Sequence, residues 1–181
     1  RSPYGIAKVF GHNMTVHYRE AYKLFACLGI LFNHESPYRG LEFVTRKITY
    51  ALANIKFKKQ EKLRLGNIHA KRDWGFAGEY VETMWTMLQQ KNPDNYVIAT
   101  GESHSVEEFL DLASEYAGLG DWHKFVEFDE RMNRPTDIEE LVGDSTKARK
   151  QFGWSPKVGF KELVKMMVEY DINNLKSSIA P

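Results

Sequence analysis

The sequence has few of the features that mark secreted, membrane or nucleic-acid-binding proteins. Cys27 is the single cysteine among 181 residues, which excludes an internal disulfide and fits a reducing compartment. No apolar run approaches the ~20 residues that a transmembrane helix needs, and no basic-then-apolar segment resembles a signal peptide. Basic and acidic residues number 25 and 24, so no net field favours nucleic acid or a membrane surface. We therefore expect a cytoplasmic protein with neither kind of partner.

Several motifs that indicate a particular chemistry are also missing from the sequence. It contains no G-x-G-x-x-G turn, no P-loop, no G-x-S-x-G elbow and no cysteine–histidine cluster with metal-ligand spacing. The residues thus give no indication of a P-loop nucleotide hydrolase, a serine hydrolase or a metal site. The composition, 43% apolar and 27% charged, is that of an ordinary globular protein.

The first positive signal is a tyrosine and a lysine near the start of the chain. Pro3 suits the first turn of a helix because its fixed φ is already helical. A helix over about 4–22 then places Tyr4 and Lys8 one turn apart on one face. An ammonium beside a phenol favours the phenolate, which can take a proton from a sugar hydroxyl. Because its apolar residues lie on more than one side, we expect this helix to be covered on two faces.

Short apolar runs and helical periodicities alternate along the rest of the chain. The run 24–32 is typical of a strand buried on both faces of a parallel sheet. Further strands are predicted over 62–65, 96–101 and 125–128, and further helices over about 43–57, 76–90, 105–117, 146–152 and 160–175. In the helix over 76–90, a stripe of apolar residues is expected to lie in the core. The charged segment 71–75 is predicted to be a loop.

A polar segment, Asn33 to Gly40, follows the first predicted strand directly. In open α/β sheets ligands bind beyond the carboxyl ends of the strands, so its position favours a binding role. The alternative is an ordinary polar turn ended by Pro37 and Gly40.

Cationic residues suggest a binding site for a diphosphate. Arg46 and Lys47 lie in the first turns of a predicted helix, where basic side chains oppose the macrodipole. A bound phosphate would offset that effect, although a solvated basic face is the alternative. Arg72 could hold a diphosphate with two parallel hydrogen bonds, or it could form a local pair with Asp73 while Trp74 anchors the packing.

Taken in order, these motifs resemble the GDP-mannose 4,6-dehydratases, within the extended short-chain dehydrogenase/reductase family. The residues that carry the resemblance are Ser2-Pro3-Tyr4 with Lys8, the segments 29–40 and 43–47, Leu65-Gly66-Asn67, and the segments 71–75, 97–101 and 134–136. The resemblance implies an α/β fold: the C-terminal part of an NAD(P)-binding Rossmann-like fold with a smaller mixed α/β domain that binds the nucleotide sugar. It assigns residues 1–40 to the catalytic helix and a late Rossmann strand. Residues 41–181 then form mostly the substrate domain, with interleaved Rossmann elements.

The resemblance also implies that the chain corresponds to a C-terminal portion. Members of this family begin with a Rossmann half whose glycine-rich turn grips the cofactor pyrophosphate. Their catalytic Thr or Ser and their Glu precede the Ser-Pro-Tyr motif, so we expect these groups to be missing here and the chain alone to be inactive.

The reaction implied by the resemblance converts GDP-D-mannose to GDP-4-dehydro-6-deoxy-D-mannose through NADP. Tyr4 would remove the C4 hydroxyl proton as hydride leaves C4, and Lys8 would hold the nicotinamide ribose. Water then leaves C6, to which hydride returns. The implied cofactor contacts are Tyr4, Lys8, His34 and Arg39. The implied GDP-sugar contacts are Asn33, Val44, Lys47, Leu65, Gly66, Asn67, Arg72, Arg134 and Asp137. The family assembles as homodimers or homotetramers, and no metal is implied.

Two positions depart from the family pattern. Asp137 stands where a longer Glu is common, so its ribose contact would be shorter, and Tyr38 replaces a residue that is often Arg. Related activities stay open at this point: a GDP-heptose dehydratase, a GDP-sugar epimerase or reductase, or a non-catalytic subunit that keeps the fold and binds nucleotide. Retention of both Tyr4 and Lys8 argues against the last.

Overall fold

The computed structural model describes residues 2–132 and 138–178, which form a mixed α/β structure. The helices are α1 (Pro3–Tyr22), α2 (Val44–Lys56), α3 (Ala77–Leu88), α4 (Val106–Ala117), α5 (Thr146–Phe152) and α6 (Phe160–Ser177). The strands are β1 (Leu28–Leu31), β2 (Asn33–Glu35), β3 (Leu63–Leu65), β4 (Lys71–Arg72), β5 (Trp74–Phe76), β6 (Asn95–Ile98), β7 (His104–Ser105), β8 (Val126–Phe128) and β9 (Glu140–Leu141). None of the helices within these ranges has the length and apolar character to cross a membrane.

Local sequence signals explain where the helices begin and end. At the start of α1, the Ser2 hydroxyl accepts a hydrogen bond of 3.0 Å from the Gly5 N–H, and Pro3 occupies the first turn. At the start of α4, the Ser105 hydroxyl accepts from the Glu108 N–H at 3.0 Å. This helix ends at Gly118, whose φ of 69° is left-handed. The predicted helices are therefore confirmed to within a few residues.

The strands form several small sheets in which parallel pairing dominates. β1 pairs with β6, β2 with β5, and β3 with β8, all in parallel. β4 lies between β7, which is antiparallel to it, and β9, which is parallel. The prediction that 71–75 is a loop was wrong, because β4 and the start of β5 lie in this segment. Their partner strands are distant in sequence, so no local pattern announces them.

The core consists of two clusters. In the larger one, α2, α4 and α6 pack on one another and on the β3–β8 pair. Its fully buried side chains include Ile48, Leu52, Phe109, Leu163 and Met167. The smaller cluster contains Tyr80, Met87, Tyr96, Ile98, Ala148 and Trp154. The boundary at residue 40 between the two expected domains stays a prediction.

Burial of the first predicted strand differs from expectation. The strand is confined to Leu28–Leu31, and its central residues are exposed. Leu24 and Phe25 precede it and are also exposed. The prediction of parallel pairing is confirmed, but that of burial on both faces was wrong.

The apolar stripes of α1 and α3 are also less buried than their periodicity predicts. Tyr80 of α3 is fully buried, whereas Val81, Met84, Trp85 and Leu88 are exposed. No residue of α1 is buried within this chain, so cover of its two faces by a sheet and by another helix or subunit stays a prediction. Periodicity shows that a face is apolar, but it does not show what packs against that face.

Candidate functional site

The Tyr4–Lys8 pair lies in the first turns of α1. The Lys8 Nζ lies 5.3 Å from the centroid of the Tyr4 ring, and 71% of Tyr4 is exposed. The helix thus brings the two side chains together as the spacing predicts.

His34 lies in β2, directly after β1, and its ring is held from two sides. Its Nδ1 lies 2.8 Å from the Phe32 carbonyl oxygen. Its ring stacks on the buried Tyr80 ring, with the centroids 5.0 Å apart. Asn33 precedes it in the same strand and pairs in register with Trp74 of β5. The sheet therefore fixes the two predicted binding residues next to each other.

Arg39 is held by groups on both sides of its loop. Its Nε lies 3.3 Å from Oε2 of the buried Glu35, and its guanidinium carbon lies 3.6 Å from the centroid of the Phe43 ring. The same Glu35 oxygen accepts a hydrogen bond of 2.7 Å from the Thr45 hydroxyl. Burial raises the pKa of Glu35, although Thr45 and Arg39 act in the opposite direction. These contacts orient Arg39.

Arg46 serves a purpose that the sequence did not indicate. Its Nε and Nη2 donate to the two carboxylate oxygens of Asp171 in α6, at 3.0 and 2.6 Å. Asp171 is buried and also accepts from the Thr49 hydroxyl at 2.7 Å. The Asp171 carboxylate therefore balances the positive charge of Arg46. The sequence had suggested a bound phosphate or a solvated basic face for this charge.

Arg72 lies in β4, and Asp73 follows it directly. The Asp73 carboxylate accepts hydrogen bonds from other segments of the chain. Its Oδ1 accepts from the N–H and the hydroxyl of Thr100, at 2.9 and 2.7 Å. Its Oδ2 accepts from the N–H groups of Gly101 and Gly143, at 2.9 and 3.2 Å. The Asp73 carboxylate therefore joins the end of β6 to the segment after β9.

The side chain of Arg72 runs toward the segment before β9. Its Nη1 donates to the carbonyl oxygens of Lys71 and Ile138, both at 2.7 Å. Trp74 is buried and stacks on Phe160 with ring centroids 6.0 Å apart, so the alternative that it anchors packing is confirmed. Arg72 thus lies beside Ile138, the residue at which the described chain resumes.

A cleft of about 560 Å³ opens where β3 and β8 end. Leu65 is buried at the end of β3, and its carbonyl accepts from the Asp129 N–H at 2.8 Å. Gly66 and Asn67 line the cleft opposite Phe128 and Asp129. Three predicted nucleotide contacts are therefore gathered at the carboxyl ends of two parallel strands, where ligands bind in α/β proteins.

Lys47 extends from α2 toward Met132, two residues after the cleft residue Glu130. Its Nζ lies 3.8 Å from the Met132 sulfur, and burial lowers the pKa of Lys47. Val44, one turn earlier on α2, packs against the larger core cluster. Predicted contacts with Arg134 and Asp137 lie outside the described residues.

Sequence reasoning missed Glu35 and Asp171, and it considered Arg46 and Tyr80 without their partners Asp171 and His34. One signal was available for Asp171. The apolar stripe of α6 includes Val164, Met167 and Val168, and Asp171 continues it at helical spacing. A carboxylate in such a position needs a partner, which turns out to be Arg46.

The family model described as GDP-mannose 4,6 dehydratase matches residues 1–167. The chain is 61% identical over 176 residues to GDP-mannose 4,6 dehydratase 1 of Arabidopsis thaliana, an alignment that covers 97% of this chain and 48% of that protein. It is 45% identical over 196 residues to the human GDP-mannose 4,6 dehydratase, covering 98% of this chain and 52% of that protein. The chain thus spans about half the length of the curated relatives it matches.

Solved structures of extended short-chain dehydrogenase/reductases have the same fold. One is RMD from Pseudomonas aeruginosa complexed with NADPH, with a TM-score of 0.87 and 18% identity, covering 96% of this chain and 57% of that one. Another is UDP-glucose 4-epimerase from Thermus thermophilus in complex with NAD, with a TM-score of 0.78 and 26% identity, covering 94% and 54%. The predicted fold class is therefore confirmed.

Proposed function

This chain belongs to the GDP-mannose 4,6 dehydratase family, and on that premise we propose that it forms the C-terminal portion of an NADP-dependent nucleotide-sugar 4,6-dehydratase. The reaction would convert GDP-D-mannose to GDP-4-dehydro-6-deoxy-D-mannose. The observation that carries the proposal is the Tyr4–Lys8 pair, with the ammonium 5.3 Å from the phenol ring on an exposed helix start.

Tyr4 and Lys8 would have different roles at the C4 hydroxyl of the substrate. Tyr4 accepts the proton of that hydroxyl as its phenolate, acting as a general base. The ammonium of Lys8, one turn away on α1, would donate to the cofactor ribose. Elimination at C6 needs a further acid and base.

The residues proposed to contact the cofactor suit a nicotinamide dinucleotide. Lys8, His34 and Arg39 offer donors and positive charge that match the hydroxyl and phosphate groups of such a molecule. The Arg39 Nε is buried and lies 3.3 Å from Glu35 Oε2. When bound, NADP supplies the reversible hydride acceptor that oxidation at C4 and reduction at C6 require.

The GDP part of the substrate would lie along the cleft at the ends of β3 and β8. Gly66 and Asn67 line this cleft, and the Lys47 Nζ lies 3.8 Å from the sulfur of Met132, two residues after the cleft residue Glu130. We assign Arg72 to the diphosphate, because a guanidinium matches phosphate oxygens bidentately. Asn33, Val44, Leu65, Arg134 and Asp137 complete the proposed set. As in the family pattern, we expect a cytoplasmic homodimer or homotetramer.

The role of Tyr4 is tested in the longest native protein that contains this chain. We expect Tyr4→Phe to abolish turnover of GDP-mannose, because the base is lost, while the GDP dissociation constant changes little. Tyr18→Phe, on the same helix, serves as the matched control and should retain turnover. Normal turnover by Tyr4→Phe would contradict the assignment. The 181 residues alone should be inactive and should not retain NADP.

The diphosphate contact is tested by calorimetry with GDP. Arg72→Ala should weaken binding by about 1–3 kcal/mol, the cost of a lost charge-assisted hydrogen bond. Arg64→Ala is the control, because Arg64 is exposed and pairs only loosely with Glu127 at 3.4 Å. Equal GDP affinity in the two variants would refute the contact.

A further inference from the structure

An ion pair between α2 and α6 lies behind the loop that carries Arg39. Arg46 donates two hydrogen bonds to Asp171, which is 125 residues away in sequence. Thr49 donates a third to the same carboxylate. We call the pair of Arg46 and Asp171 the Arg46 clamp. Both charged partners are largely removed from water, with 12% and 2% of their side chains exposed.

Stability alone does not account for this ion pair. Removing two charges from water costs free energy, and the attraction between the charges often does no more than offset that cost. Apolar residues of similar volume can hold two helices together at least as well. Apolar residues, however, cannot donate a further hydrogen bond. The Arg46 Nη1 donates to the carbonyl oxygen of Arg39 at 3.2 Å. The clamp is thus joined to the backbone of a residue proposed to bind the cofactor.

The side chain of Arg39 is fixed by the same helix. Glu35, its ion-pair partner, accepts from Thr45, the residue before Arg46. The Phe43 ring, at the start of α2, covers the Arg39 guanidinium at 3.6 Å. The loop also rests on α6, because the Tyr38 ring lies 5.6 Å from the Tyr170 ring. Contacts with α2 and α6 therefore fix the position of the Arg39 backbone and of its guanidinium.

We propose that Arg46 and Asp171 are positioning residues that hold Arg39 in its cofactor-binding geometry. The clamp contacts neither cofactor nor substrate and acts through the Arg39 carbonyl. This inference rests on the proposed function, because it takes Arg39 to contact NADP. Its consequence is that cofactor affinity depends on the packing of α6, an element outside the expected nucleotide site.

The test measures the NADPH dissociation constant by fluorescence in the longest native protein that contains this chain. Arg46→Lys keeps the charge opposite Asp171, but one ammonium cannot reach both carboxylate oxygens and the Arg39 carbonyl in the same fork geometry. We expect the dissociation constant to rise about 10-fold, a value that corresponds to about 1.4 kcal/mol. Thr49→Val is the matched control: it removes a hydrogen bond from the same carboxylate and leaves the Arg46–Arg39 contact. It should change affinity less than about 2-fold.

A double-mutant cycle with Arg39→Gln separates positioning from general destabilisation. If Arg46 acts through Arg39, Arg46→Lys has no further effect once the Arg39 guanidinium is gone. Equal effects of Arg46→Lys in both backgrounds, or equal weakening by Arg46→Lys and Thr49→Val, would overturn the positioning role. Hydrogen exchange of the 38–43 amides gives a second readout, which should accelerate in Arg46→Lys and not in Thr49→Val.

Other outcomes distinguish this inference from the proposed function. If Arg39→Gln binds NADPH like the native protein, the cofactor role of Arg39 is wrong, and the proposed site fails with the inference. If Arg39→Gln binds weakly while Arg46→Lys binds normally, the positioning role alone is overturned. Should Arg46→Lys not fold, Asp171→Asn perturbs the same contact from α6, and normal NADPH affinity in that variant overturns the proposal.

Discussion

The ring of Tyr80 stacks on the imidazole of His34, with centroids 5.0 Å apart and planes inclined by 28°. Tyr80 is fully buried. Its hydroxyl makes no hydrogen bond within the residues that the structure describes. Burial, together with the negative charges of Asp73 and Glu79, raises the pKa of Tyr80, so the phenol stays neutral. Tyr80 therefore holds His34 by ring packing and not by a hydrogen bond.

Substitutions of Tyr80 should separate the ring from the hydroxyl. Tyr80→Phe keeps the ring and removes an unpaired buried polar group, so we expect unchanged or slightly higher stability. Tyr80→Leu loses the stacked ring and leaves space, which should lower the free energy of unfolding by about 2 kcal/mol. Urea denaturation measures both. A large loss in Tyr80→Phe would show that the hydroxyl has a partner.

Gly75 makes room for this ring. A methyl group added at Gly75 would lie 2.5 Å from Cε2 of Tyr80 and 2.6 Å from its hydroxyl oxygen. We expect Gly75→Ala to destabilise the fold by about 1–3 kcal/mol through overpacking. The cost should be smaller in the Tyr80→Leu background, because the clashing ring is gone.

Gly11→Ala is the matched control for this substitution. Gly11 lies in α1, and an added methyl group there has nothing within 4 Å, so the change should not destabilise the protein. Equal denaturation midpoints for Gly75→Ala and Gly11→Ala would contradict the close approach of Tyr80.

Local signals in the sequence were sufficient for most of the helices. Ser105 and Gly118 mark the ends of α4 because caps and left-handed positions depend on neighbouring residues alone. The β4 and β5 strands were missed because they are only a few residues long. Their pairing is with segments far away in sequence, such as β2 and β9. What a single sequence cannot show is which distant segment completes a hydrogen-bond ladder.

Replacing Asp73 by Asn, which has nearly the same shape, should lower the stability of the protein. Its two carboxylate oxygens accept four hydrogen bonds from Thr100, Gly101 and Gly143. In Asp73→Asn, an amide group with donors of its own would face two of these N–H or O–H donors. We expect a loss of about 3 kcal/mol in the free energy of unfolding, measured by urea denaturation.

Asp111→Asn is the control for this prediction. Among the residues that the structure describes, Asp111 accepts one side-chain hydrogen bond, of 2.6 Å, from the Trp122 indole. The amide oxygen of Asn can accept this bond, so the loss should stay under about 1 kcal/mol. Similar losses in both variants would mean that the four contacts of Asp73 carry little energy.

Glu35 predicts a specific pH dependence. Burial raises its pKa in the folded protein above the ordinary value of 4.5, so the folded state binds the proton more tightly than the unfolded chain does. The contribution of Glu35 to stability is therefore greatest below pH 4.5 and falls as the pH rises through the folded pKa. Glu35→Gln removes this dependence.

The measurement compares the free energies of unfolding of the native protein and Glu35→Gln between pH 4 and 8. The native protein should lose stability relative to the variant as the pH rises, because the buried carboxyl must ionise. Other titrating groups cancel in the difference. A constant difference would show that Arg39 and Thr45 balance the effect of burial on the pKa of Glu35, and a difference of the opposite sign would show that they outweigh it.

The candidate site was only partly accessible to sequence reasoning. Tyr4 and Lys8 could be paired because helical spacing alone brings them together. Arg46 could not be assigned, because its partner Asp171 lies 125 residues away, and a basic residue in a first turn is equally compatible with phosphate or solvent. The sequence indicated which residues have suitable chemistry, whereas their partners depend on tertiary packing.

The contacts that attach α1 near its C-terminal end should make the mobility of the helix increase toward Tyr4. Arg19, near its C-terminal end, donates to Asn95 at 2.8 Å and to the Ala26 carbonyl at 3.3 Å, while no side chain of α1 is buried. Tyr4 lies about 22 Å from Arg19 along the axis, at 1.5 Å per residue. Small rotations about this anchored end become large displacements at the phenol. In these 181 residues alone, amide exchange should therefore quicken from Arg19 toward Tyr4, and whatever packs against the first turns of α1 determines how long the base stays aligned.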